Sequence, residues 1–96
     1  MENKQNEKEK IVRNYLKGGK LTVIPSQLKK KLYILEYLAE GLSAEVKYHE
    51  KEINEYIKKY HEDFATIRRE FIVQGIMTRE NNIYQLNSRD KWRRIS

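Results

Sequence analysis

The chain has 96 residues, one domain's worth. That suffices for a modest core but not for a deep catalytic cavity with its supporting shell. It holds no cysteine, which excludes a disulfide framework and a thiolate metal site and fits a reducing cytoplasm. The net charge of +6 is unevenly placed: residues 1–31 carry +6, residues 32–64 carry −4 and residues 65–96 carry +4. Basic segments attract phosphate through counterion release, whereas evenly mixed charge only keeps a small protein soluble.

Residues 1–6 are expected to be disordered. The opening "MENKQNEKEK" has no apolar stretch of the kind a secretory signal needs. No run of about 18 apolar residues occurs, so no membrane span is expected. From Glu7 to Lys17 the pairs Ile11/Tyr15 and Val12/Leu16 recur at i,i+4 and predict a short amphipathic helix with a narrow stripe. Gly18-Gly19 is read as its stop. "KLTVI" then reads as a short strand ahead of Pro25.

Pro25 or Ser26 is expected to open a second helix that runs to about Glu40. Leu28, Leu32, Leu35, Ala39 and Leu42 fall on one helical face, widened by Ile34 and Leu38, the strongest periodicity in the chain. Lys29, Lys30 and Lys31 crowd its first half, the unfavourable end of the helix dipole for cations. A short strand is expected near Val46–Tyr48. A third helix spans Glu50 to Lys59 with Ile53, Tyr56, Ile57 and Tyr60 on one side. His49 occupies its capping position, where histidine is a weak cap. Tyr60-His61-Glu62 forms a turn. Asp63 then caps a fourth helix that ends at Gly75, with Phe64, Ile67 and Phe71 facing inward. "IMTRENNIYQL" reads as a β-hairpin turning at Glu80-Asn81-Asn82. The basic tail, residues 87–96, carries Trp92. Helix, extended piece, helix, tight turn, helix, hairpin is the order of a small α+β winged helix-turn-helix domain over residues 7–86, here with an extra N-terminal helix and strand.

The residues also carry a resemblance. "LKGGKLTVIPSQLKKKLYILEYLAEGL", "YHEKEINEYIKKYHEDFATIRREFIVQGIMTRE" and Tyr84 resemble a bacterial domain family of unknown function. The resemblance implies a winged-helix-like fold and a domain found alone or fused behind ArsR-type transcriptional regulators. The family pattern falls on Leu21, Thr22, Ile24 and Pro25, then on Lys29 to Lys31, then on Tyr60, His61 and Asp63 to Glu70. The chain departs from it at His49, where a threonine-type cap is usual, and at Asn81-Asn82, where the turn is usually more glycine-like. The resemblance brings no activity with it.

Duplex DNA is the partner these features favour. In a helix-turn-helix the second helix enters the major groove, and phosphate contacts come from its surroundings. Thr66, Arg69 and Val73 lie on the outer face of the fourth helix with Glu70. Lys29, Lys30, Lys31, Lys58, Lys59 and Arg79 are placed to neutralise phosphates. Glu62, Asp63 and Glu70 oppose this with three acids on the same segment. His61, Asp63 and Arg68 read as structural, Arg68 as the ion-pair partner of Asp63, Glu62 or an acid of the third helix. His61 with Glu62 and Asp63 makes a poor metal site, because consecutive side chains diverge and His49 is twelve positions away. No nucleophile elbow, phosphate loop or catalytic triad is visible, so neither an enzyme nor a bound cofactor is expected. The alternative to DNA binding is a protein-interaction module, with the narrow first helix and Trp92 contributing to a homodimer.

Overall fold

The computed structural model describes residues 4–95. In chain order the elements are α1 (Lys4–Tyr15), β1 (Leu16–Lys17), β2 (Lys20–Leu21), α2 (Leu28–Ala39), β3 (Lys47–His49), α3 (Glu50–Lys58), α4 (Phe64–Val73), β4 (Met77–Glu80) and β5 (Ile83–Leu86), then a 3-10 turn at Arg89–Lys91. The architecture is α+β. β1 and β2 form a small antiparallel hairpin, and a three-stranded antiparallel sheet has the order β3-β5-β4.

α2 is the centre of the core. Leu32, Tyr33, Ile34, Leu35, Leu38 and Ala39 are all buried, and they meet Ile53 and Ile57 of α3, Ile67 and Phe71 of α4, and Met77 and Tyr84 of the sheet. Leu28, the first residue of the predicted stripe, lies at its exposed edge. The helix begins at Leu28, three residues later than the proline suggests. Gln27 is extended at φ −70° and ψ 127°, and its carbonyl accepts the first helical bond from Lys31. Pro25 is buried, and residues 22–24 pair with no strand.

The N-terminal segment differs most from expectation. Residues 1–3 of the stretch expected to be disordered lie outside the described residues, and residues 4–6 form the first turn of α1. The helix is held by α2 and not by its own propensity. Ile11 is buried, Lys8 bridges Glu36 and Glu40, Glu7 pairs with Lys29 at 2.6 Å, and the Tyr33 hydroxyl donates to Glu7 at 3.3 Å. Gly18-Gly19 does not end this helix, which has stopped at Tyr15. Both glycines have positive φ, 60° and 80°, and they turn the hairpin that pairs Leu16 with Leu21 and Lys17 with Lys20.

The C-terminal residues are part of the fold and not a loose basic tail. Trp92 and Ile95 are buried. The Trp92 indole donates to the Asn87 carbonyl at 2.9 Å, and the Arg89 guanidinium stacks 4.1 Å from its ring centroid. The Arg93 amide donates to the Gln74 carbonyl at 2.8 Å, which lays this segment across the C-terminal end of α4.

Candidate functional site

α4 is set by its two ends. Asp63 caps it: the carboxylate accepts from the Thr66 amide at 3.3 Å and from the Thr66 hydroxyl at 2.8 Å. His61 fixes the turn before it, its Nδ1 accepting from the Asp63 amide at 2.9 Å. At the other end Gly75 adopts φ 76°. Its amide donates to the Ile72 carbonyl at 3.1 Å, and the Ile76 amide donates to the Phe71 carbonyl at 2.9 Å. This is the paired closure of a Schellman motif. α3 starts from a poorer cap: the Glu52 carboxylate reaches back to the His49 amide at 2.9 Å, which compensates for the histidine.

Between its caps, α4 divides its side chains among three directions. Ile67 and Phe71 enter the core. Arg68 turns toward α3, where Nη1 donates to Asn54 Oδ1 at 2.5 Å and Nε stands 3.9 Å from Glu50. Glu70 turns toward α2, where Lys31 pairs with it at 3.3 Å, and it also accepts from Gln74 Nε2 at 3.0 Å. The helical wheel puts Glu70 on the outer face; its bond to Lys31 places it instead at the junction with α2. The exposed strip is Ala65, Arg69 and Val73, with Thr66 beside it. Val73 is 65% exposed, high for an aliphatic side chain on a helix, and Arg69 has no ion-pair partner among the described residues.

The other cations expected to meet phosphate are in mixed situations. Lys29 is bound by Glu7, whose carboxylate raises the pKa of the ammonium chiefly through their hydrogen bond. Lys31 is bound by Glu70. Lys58 sits 3.8 Å from Glu55 and 5.1 Å from the Phe64 ring centroid. Arg79 folds back from the hairpin: Nε donates to the Asn81 carbonyl at 2.7 Å and Nη2 lies 3.7 Å from Glu50. Lys30 and Lys59 have no acidic partner among the described residues. Charge along the sequence shows all of these as available; the fold commits Lys29, Lys31 and Arg79 to carboxylates from distant segments.

Glu50 is the acid of the third helix that pairs with Arg68, as one of the expected partners, but its further reach is not visible in the sequence. From the first turn of α3 it meets Arg68, Arg79 and the Tyr84 hydroxyl, the last at 2.8 Å, and so ties α3, α4 and the hairpin together. Burial, with Glu50 as acceptor, pushes the Tyr84 phenol above its usual value. The hairpin closes at Asn81-Asn82, with Glu80 opposite Ile83 and Asn81 at φ 56°. Asparagine tolerates that left-handed conformation, so the turn forms without glycine. The Asn82 carbonyl accepts from the Glu50 amide at 2.8 Å, anchoring the hairpin tip to the start of α3.

Among the described residues no group of three or more His, Asp or Glu side chains could hold a metal ion, and no helix is long and apolar enough to cross a membrane. No curated protein and no solved structure matches the chain. Residues 20–86, from β2 through the end of β5, match the bacterial family described as "Uncharacterized protein conserved in bacteria (DUF2087)". The match covers well over half the chain, including every position of the family pattern from Leu21 to Glu70, and the chain belongs to that family.

Proposed function

We propose that this protein is a winged helix-turn-helix domain that binds duplex DNA, with α4 as the reading helix and the β4–β5 hairpin as the wing. The observation that carries this reading is the joining of element order to one uncovered face. α2, β3, α3, α4 and the hairpin follow in the helix-turn-helix order, and β3 pairs with β5 so that the hairpin flanks α4. Packing then consumes every face of α4 except the strip of Ala65, Arg69 and Val73. A guanidinium with no ion-pair partner among the described residues can make the bidentate contact to guanine, and an exposed valine suits a thymine methyl. Lys30 and Lys59 supply phosphate contacts, while Lys29, Lys31, Lys58 and Arg79 contribute less because carboxylates already hold them. Thr66 serves mainly the Asp63 cap. A place behind an ArsR-type regulator, or as a free-standing transcriptional regulator, suits such a domain.

The test is titration of a labelled random duplex by fluorescence anisotropy at several salt concentrations. Binding should weaken steeply as salt rises. Arg69→Ala should weaken binding to a preferred site by about 1–3 kcal/mol, with the melting temperature unchanged. Arg68→Ala should cost about 1 kcal/mol of stability, because it removes the bonds to Asn54 and Glu50. Absence of duplex binding at low salt would refute the reading and leave a protein-interaction module, whose self-association light scattering would report.

A further inference from the structure

Lys17 and Lys20 stand directly opposite each other in the β1–β2 hairpin. Like charges in that position destabilise an antiparallel pair. The turn between them, Gly18-Gly19, has nothing within 4 Å of where either side chain would begin, so the hairpin tip projects into solvent. Two-residue strands cannot hold a hairpin alone. This one is held by its base: Leu21 is buried, its amide donates to the Tyr60 carbonyl at 2.8 Å, and the Thr22 amide donates to the Tyr15 carbonyl at 2.8 Å.

Tyr60 lies in the turn between α3 and α4, so the docking lays the base of the hairpin on that turn and brings Lys20 to the C-terminal end of α3. Lys20 Nζ lies 3.5 Å from the carbonyl oxygen of Lys59, and Lys17 Nζ lies 3.4 Å from that of Arg13. Lys17, Lys20 and Lys59 are exposed, and none has a carboxylate within ion-pair distance among the described residues, whereas Lys8, Lys29, Lys31 and Lys58 all have one. Cations near the last carbonyls of a helix are favourable, which accounts for each lysine singly. It does not account for placing two of them face to face on an exposed tip.

We infer that this hairpin is a phosphate-backbone clamp, gripping the same duplex whose major groove α4 enters. The inference rests on the DNA-binding reading above and adds a contact from β1, ahead of the residues matched to the family. It also resolves the acidic entrance of α4. Asp63 is required as the cap, and Glu62 is exposed beside it. A phosphate approaching that end meets two negative charges from α4's own segment; Lys20 and Lys59, beside the turn that leads into α4, oppose them, and Lys17 extends the basic surface along the hairpin.

The double variant Lys17→Gln/Lys20→Gln tests this by anisotropy titration against duplexes of differing sequence. The slope of log K against log salt should fall in magnitude by about 2, one for each phosphate that is no longer neutralised, equally for all sequences. Its melting temperature should be unchanged or higher, because the like-charge pair is gone. Lys10→Gln, which removes an exposed cation from α1, should leave the slope as it was. An unchanged slope in the double variant, with wild-type binding still sensitive to Arg69→Ala, overturns the clamp and leaves the DNA reading intact. A slope that Lys10→Gln lowers as much per charge also overturns it, since net charge alone would then explain the effect. Failure of the wild-type protein to bind duplex overturns both.

Discussion

Gly75→Ala should be among the most damaging single substitutions on the surface of this protein. Gly75 sits at φ 76°, where a residue with a Cβ loses about 1–2 kcal/mol. The new methyl would also stand 2.5 Å from the Lys91 carbonyl oxygen and 3.8 Å from the Trp92 Cα. Those are backbone atoms, so relief requires the 3-10 segment to lift away from α4. Lifting it breaks the bond from the Arg93 amide to the Gln74 carbonyl and strains the one from the Asn87 side chain to the Gly75 carbonyl. At about 1 kcal/mol for each such bond, the total cost is about 3–4 kcal/mol. For a domain of this size that lowers the melting temperature by at least roughly 12 °C. Thermal melting followed by circular dichroism measures the loss. Trp92, the only tryptophan, reports its location, and its emission should shift to the red as the indole leaves its buried position. A melting temperature within a few degrees of wild type, with unchanged emission, would show that the C-terminal segment does not close α4 as described.

Asp63→Ala removes the cap of α4 and should destabilise by about 1 kcal/mol; Asp63→Asn, which keeps an acceptor for the Thr66 amide, should recover most of that in chemical denaturation. Glu70→Gln should release Lys31 and so strengthen duplex binding while changing stability by less than about 1 kcal/mol; weaker binding in the anisotropy titration would count against Lys31 facing phosphate. The phenols of Tyr33, Tyr56 and Tyr84 are all pushed above their ordinary pKa of 10.0, chiefly by burial. The fold thus favours the protonated form, and this contribution is complete below pH 10.0 and lost as pH rises through the higher folded values. Melting temperature should therefore fall above that pH, in step with tyrosinate absorbance. Tyr56→Phe should lessen the fall at some cost in stability, because it removes the bond to the Leu38 carbonyl.

The larger elements were legible because their signals are local and periodic. The stripe of α2, the Asp63 cap and Gly75 stop of α4, and the turn at Asn81-Asn82 all stand where the sequence places them to within a few residues. Errors cluster where a residue type has two uses. Glycine after a helical stretch reads as a stop, yet Gly18-Gly19 flanked by lysines is equally a two-residue hairpin signature, and the docking of Leu21 on Tyr60 selected the hairpin. A basic terminal stretch with one tryptophan reads as a tail, because no periodicity shows that Trp92 and Ile95 have a surface to pack against.

By itself, then, the sequence determined the four helices to within a few residues, the caps of α4, the α+β class and most of the inward faces, since these depend on neighbours within a turn or two. Only the tertiary structure decided which charges remain free. Lys29 is held by Glu7, Lys31 by Glu70, and Arg68 and Arg79 by Glu50, each pair joining segments well apart in the chain. Charge is additive along a sequence, but its availability to a ligand depends on which carboxylate folding brings within reach. Among the described residues that leaves Arg69 on the outer strip of α4, and Lys17, Lys20, Lys30 and Lys59, without a carboxylate within ion-pair distance.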